Sequence, residues 1–61
     1  MPIVTIELLE GRTIEQKREM TRRITEVITE VTNVKPELVL INFYDLKKEN
    51  HAVAGQLYLD K

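Results

Sequence analysis

The chain has 61 residues with no cysteine and one histidine, which excludes a disulfide framework, a thiol nucleophile and a metal cage built from thiolates or several imidazoles. Nine Lys and Arg against ten Asp and Glu leave a net charge of −1, without the basic excess that marks a nucleic-acid partner. No apolar run approaches the ~20 residues of a membrane span, and no basic segment followed by an apolar stretch opens the chain as a secretory signal would, so the expectation is a single cytoplasmic domain over residues 1–61 with no membrane partner.

Residues 2–9, PIVTIELL, are rich in β-branched side chains and alternate in the manner of a strand, with Val4, Ile6 and Leu8 on one side and Ile3, Thr5, Glu7 and Leu9 on the other. Glu10, Gly11 and Arg12 form a turn in which Gly11 can take a positive φ. Thr13 then opens a helix, with Gln16 placed to complete a capping box. Met20, Ile24, Val27, Ile28 and Val31 follow at helical spacing, and Glu19 and Arg23 are spaced for an i,i+4 ion pair. Asn33 is suited to a left-handed cap, and Pro36 blocks continuation. LVLINFY, residues 38–44, reads as a second strand. Strand, helix and strand make a βαβ unit with parallel strands and a right-handed crossover. Lys47 to Asn50 form a charged turn, and Ala52 to Leu59 add a short strand or a hairpin around Gly55. The fold class is α+β.

One helix covers one face of so small a sheet. The other face would expose Ile3, Leu9, Leu38 and Leu40, and contiguous apolar surface of that kind marks an interface. A chain this short buries only about 60% of the surface its unfolded form exposes, and without disulfide or metal the remaining stabilising device is a second copy of itself.

Pro2 stands out chemically. A small residue after the initiator methionine permits removal of that methionine, which would turn the proline nitrogen into a basic secondary amine. Apolar surroundings and a nearby cation both disfavour the charged form of such an amine, leaving it neutral enough to act as a general base. Arg12 follows Gly11 at the mouth of a helix N-terminus, where a guanidinium can hold a carboxylate through paired hydrogen bonds. Each residue also has a plainer reading. Met-Pro is a common start, and an arginine in a turn is usually solvated. His51, Tyr44 and Asp45 carry exchangeable protons at loop and strand-end positions where such residues are routine. There is no glycine-rich phosphate loop, metal motif or Ser-His-Asp set.

Taken together, Pro2, the segment PIVTIELLEGRT, the EQK at Glu15 to Lys17 and the AVAG at Ala52 to Gly55 resemble the 4-oxalocrotonate tautomerases, the short members of the tautomerase superfamily. The resemblance spans nearly the whole chain. It implies a β-α-β subunit with a C-terminal hairpin, assembled as a homohexamer arranged as a trimer of dimers. It also implies a cofactor-independent isomerase without metal, in which Pro2 shuttles a proton between carbons of a small enol or keto acid. Arg12 then binds the substrate carboxylate, and Leu9 lines the pocket. Two positions depart from the family pattern. Leu40 stands where well-studied members carry a second arginine, and His51 stands where they carry an aromatic residue before the AVAG-like segment. Losing the second arginine favours a monoacid enol such as an arylenolpyruvate over the dicarboxylate 2-hydroxymuconate. His51 would offer a weaker hydrogen bond.

Two alternatives stand beside this reading. Superfamily relatives hydrate or dehalogenate unsaturated acids, which needs a carboxylate to activate water, and Asp45 and Glu49 are the available ones. A non-catalytic self-assembling module follows instead if Met1 stays attached, because the Pro2 nitrogen is then an amide.

Overall fold

In the computed structural model, which describes residues Met1 to Lys61, the alternating segment near the start forms strand β1, Ile3–Leu9. The turn that follows depends on Gly11 at φ 117°, a conformation that side chains with a Cβ rarely adopt. Helix α1, Ile14–Thr32, begins with the expected capping box at Thr13 and Gln16. It ends at Asn33, whose φ of 62° makes it the left-handed cap, with its N–H donating to the Thr29 carbonyl.

The second strand starts later than the sequence pattern suggested. Pro36 fixes φ and opens a 3₁₀ turn over Pro36–Leu38, closed by Leu38 N–H to the Lys35 carbonyl at 3.0 Å and Val39 N–H to the Pro36 carbonyl at 3.1 Å. Strand β2 therefore runs Leu40–Leu46 rather than 38–44, and Leu38 lies in the turn, off the sheet. β1 and β2 pair in parallel from Ile3 opposite Leu40 to Leu9 opposite Leu46, as a βαβ crossover requires. Each strand has one long edge without a backbone partner.

Val4, Ile6, Ile41 and Phe43 share the half-buried face of this sheet, under α1. Met20, Ile24 and Ile28 meet it from the helix, while Val27 and Val31 at the other edge of the apolar stripe point outward. A 3₁₀ turn over Lys48–Asn50 leads to a short antiparallel hairpin. Its strands are β3, Ala52–Val53, and β4, Gln56–Leu57, and it gives way to a last 3₁₀ turn at Tyr58–Asp60. The hairpin expected up to Leu59 thus ends two residues sooner. No helix is long and apolar enough to cross a membrane.

The single chain has no core of its own. No residue is fully buried. The radius of gyration is 14.8 Å, against about 10.5 Å for a compact domain of this length. The accessible surface is 4949 Å², against about 4,100 Å² for a folded monomer of this mass. Both excesses come from a plate whose extents are 44 × 23 × 13 Å, which presents apolar side chains on both sides.

Candidate active site

Pro2 is held at the head of β1, half-buried, with its carbonyl accepting a 3.0 Å hydrogen bond from the Leu40 N–H. The ring therefore sits where the two parallel strands begin. The side chains that share the outer face there are Ile3 and Leu40, 64% and 42% exposed in the isolated chain. The outer face at this end of the sheet is aliphatic and open, a surface that a partner could cover.

Arg12 hangs just after the Gly11 turn, beyond the opposite end of β1. Thr13 N–H donates to Gln16 Oε1 at 2.9 Å and Gln16 N–H donates to Thr13 Oγ1 at 3.0 Å. The first-turn amides of Ile14 and Glu15 are left without intrahelical partners, a local positive end beside the guanidinium. The other three arginines are neutralised within the helix, Arg18 by Glu15, Arg22 by Glu19 and Glu26, and Arg23 by Glu19. Arg12 is the one arginine with no carboxylate partner. It borders an open hollow of about 360 Å³ together with Gln16, Glu19, Met20, Arg23 and Ile24. Hydrogen bonds from Arg22, and secondarily from Arg23, hold the Glu19 carboxyl below its usual range. The same contact with Glu19, reinforced by Glu26, raises Arg22. That acidic side chain is thus committed to its own helix rather than to Arg12.

Leu9 lies half-buried opposite Leu46, at the Arg12 end of the sheet. His51 packs its ring against Tyr58, centroid to centroid 5.4 Å, and its carbonyl accepts from Tyr58 N–H at 2.8 Å. The sequence-level candidates therefore separate into two groups within one chain. Pro2 and Leu40 stand at the head of the strands, Leu9 and Arg12 at the foot. Six residue steps along β1, about 20 Å at ~3.3 Å per residue, lie between them. Leu9 and Leu40 cannot form one apolar wall in a single chain, because a parallel pair puts position 40 beside position 3 and leaves position 9 at the far end.

The carboxylates considered for water activation are differently disposed. Asp45 Oδ2 lies 2.8 Å from Lys17 Nζ, so its charge is already matched. Glu49 borders a separate hollow with Glu10, Lys47, Lys48 and Leu59. No local sequence signal marks the Lys17–Asp45 contact, because its partners are 28 positions apart.

The family model described as tautomerase enzyme matches residues 2–61. A 2-hydroxymuconate tautomerase of Bacillus subtilis (strain 168) is 40% identical over 60 residues, covering 98% of this chain and 97% of that one. The crystal structure of a 4-oxalocrotonate tautomerase homologue superposes with a TM-score of 0.95 at 36% identity, over 100% of this chain and 97% of its own. A structure from the 4-oxalocrotonate tautomerase isozymes of Methylibium petroleiphilum gives 0.90 at 42% identity, over 97% and 92%. A match over the full length in both sequence and fold leaves one assignment: the chain belongs to the tautomerase family and is a tautomerase.

Proposed function

We propose that the chain moves a proton within a small unsaturated 2-hydroxy (enol) or 2-keto acid, with the Pro2 nitrogen as general base and Arg12 as carboxylate anchor. The observation that supports this most directly is the family match, which begins at Pro2 itself. Arg12, the arginine left unpaired, supports the second role. Because the two stand at opposite ends of β1, the reading requires that one copy supplies Pro2 and a neighbouring copy supplies Arg12. The apolar outer face and the missing core support self-assembly, which we take to be a homohexamer built as a trimer of dimers in the cytoplasm.

Removal of Met1 is the first step, since only then is the ring nitrogen an amine. Ile3 and Leu40, covered by the neighbouring copy, make a charged ammonium costly there. A guanidinium ~6–8 Å away adds about 2–3 kcal/mol of repulsion at an effective dielectric of ~20. The neutral amine then takes the enol hydroxyl proton. The oxygen lone pair forms the carbonyl while the conjugated π electrons shift outward. The protonated proline returns the proton to the carbon at the far end of that system. Arg12 holds the carboxylate throughout, which fixes the carbon chain over the ring nitrogen.

The test uses methionine-free protein with phenylenolpyruvate and 2-hydroxymuconate as probes. Pro2→Ala should lower kcat about 10²-fold or more, the typical share of a positioned base. Arg12→Ala should raise KM about 10- to 100-fold, the value of a charged hydrogen-bonded contact. An unchanged kcat in Pro2→Ala overturns the base, and an unchanged KM in Arg12→Ala overturns the anchor. An intact mass from the native host in which every chain retains Met1, the result that a non-catalytic module would give, overturns the mechanism.

A further inference from the structure

Every side-chain hydrogen bond in the chain but one joins residues four or fewer positions apart. The exception is Lys17 Nζ to Asp45 Oδ2 at 2.8 Å, which ties the first turns of α1 to β2. Lys17 is the more sheltered partner, 24% exposed against 47% for Asp45. Its ammonium lies 5.8 Å from the centre of the Phe43 ring, so its stem runs over the sheet and its charge is held by both aromatic face and carboxylate.

The placement of this contact matters more than its strength. Upstream of Arg12, the Glu10 N–H donates to the Leu46 carbonyl at 2.9 Å. Downstream, Lys17 reaches Asp45, the residue immediately before Leu46. Thr13 is locked to Gln16 by the capping box, and Lys17 N–H donates to the Thr13 carbonyl at 3.1 Å, so residues 13 to 17 move as one unit. The stretch Gly11–Arg12–Thr13 is thus a short bridge pinned at both ends to adjacent residues of one strand. A guanidinium grips a carboxylate through two parallel bonds only when its plane is held, and these pins hold its backbone.

We propose that Lys17 and Asp45 are positioning residues for Arg12, a clamp that sets how tightly the enzyme holds the substrate carboxylate. The proposal rests on the reading of Arg12 as the anchor. Without the clamp the first turn of α1, whose one apolar side chain, Ile14, is 67% exposed, is held to the sheet only through the turns that follow it, and each binding event must first order the Arg12 bridge. The loss falls on substrate affinity, while the Pro2 end of β1 is untouched.

The experiment is a mutant cycle on the assembled, methionine-free enzyme, with phenylenolpyruvate and 2-hydroxymuconate as probes. Lys17→Met, which keeps the stem over Phe43, and Asp45→Asn should each raise KM about three- to tenfold with kcat held within about twofold. In an Arg12→Ala background neither should change KM further. The exchanged pair, Lys17→Asp with Asp45→Lys, should return KM to within about twofold of the parent. A KM increase that persists in the Arg12→Ala background would show general support of the fold and overturn the clamp, as would a fall in kcat at constant KM or no change at all. If a single variant fails to assemble by sedimentation, the exchanged pair decides, its recovery of both assembly and KM being required. Arg12→Ala alone separates the two levels. If it leaves KM unchanged the anchor reading fails, whereas a large effect there with none at Lys17 sinks only the clamp.

Discussion

Leu40 touches the Pro2 peptide through its backbone and presents an aliphatic side chain on the outer face, opposite Ile3, at the head of the strands. In our reading, that single side chain decides which acids the site prefers. It keeps the environment dry and offers no second charge, so one carboxylate is anchored and the rest of the substrate meets hydrocarbon. Leu40→Arg should raise the ratio of kcat/KM for 2-hydroxymuconate over phenylenolpyruvate about tenfold or more, since a second charged anchor rewards only the diacid. Steady-state rates on the two probes check this, and an unchanged ratio would remove Leu40 from the specificity account. Residue-level features of this kind differ in how well they show in a sequence. Thr13 with Gln16, Gly11 and Asn33 were legible because capping and left-handed turns are local chemistry. The Lys17–Asp45 clamp was not, since nothing near either residue names its partner. The separation of Leu9 from Leu40 is not marked by any local signal either, yet it follows from parallel pairing once the strands are set.

At the level of elements, α1 matched the reading of its sequence because stripe, cap and stop signal agree. β2 did not begin where its apolar run begins. Hydrophobicity marks Leu38 as a strand residue, but Pro36 commits the backbone to a tight turn two residues earlier. The C-terminal hairpin carries a mismatch of a different sort. Its two-residue loop has positive φ at both positions, 52° at Ala54 and 81° at Gly55, the pattern of a type I′ turn that favours Asn-Gly. Alanine holds that left-handed conformation against its own Cβ. Ala54→Asn should therefore stabilise the protein by about 0.5–1 kcal/mol per chain, read as a higher thermal midpoint at fixed chain concentration. A lower midpoint would mean that the Ala54 methyl group is packed against another copy.

For the molecule as a whole, the absence of any buried residue and the swollen radius describe a part rather than a finished globule. If each site draws Pro2 from one copy and Arg12 from another, two inactive variants should repair each other. Pro2→Ala and Arg12→Ala chains, mixed in equal amounts, unfolded and reassembled together, should recover about a quarter of the parent activity, the share of sites at which random pairing brings both intact residues together. Mixing without reassembly should recover none, and no recovery after reassembly would place both residues of a site on one chain.

The paired strands leave their long outer edges open, each about 20 Å of backbone donors and acceptors in search of company. In the assembly we propose, a neighbouring copy can occupy them, but a lone chain offers the same rails to any passing strand, in any register. Durability in such an assembly would be a race: it lasts as long as stray chains find their proper berth before they knit into ribbons.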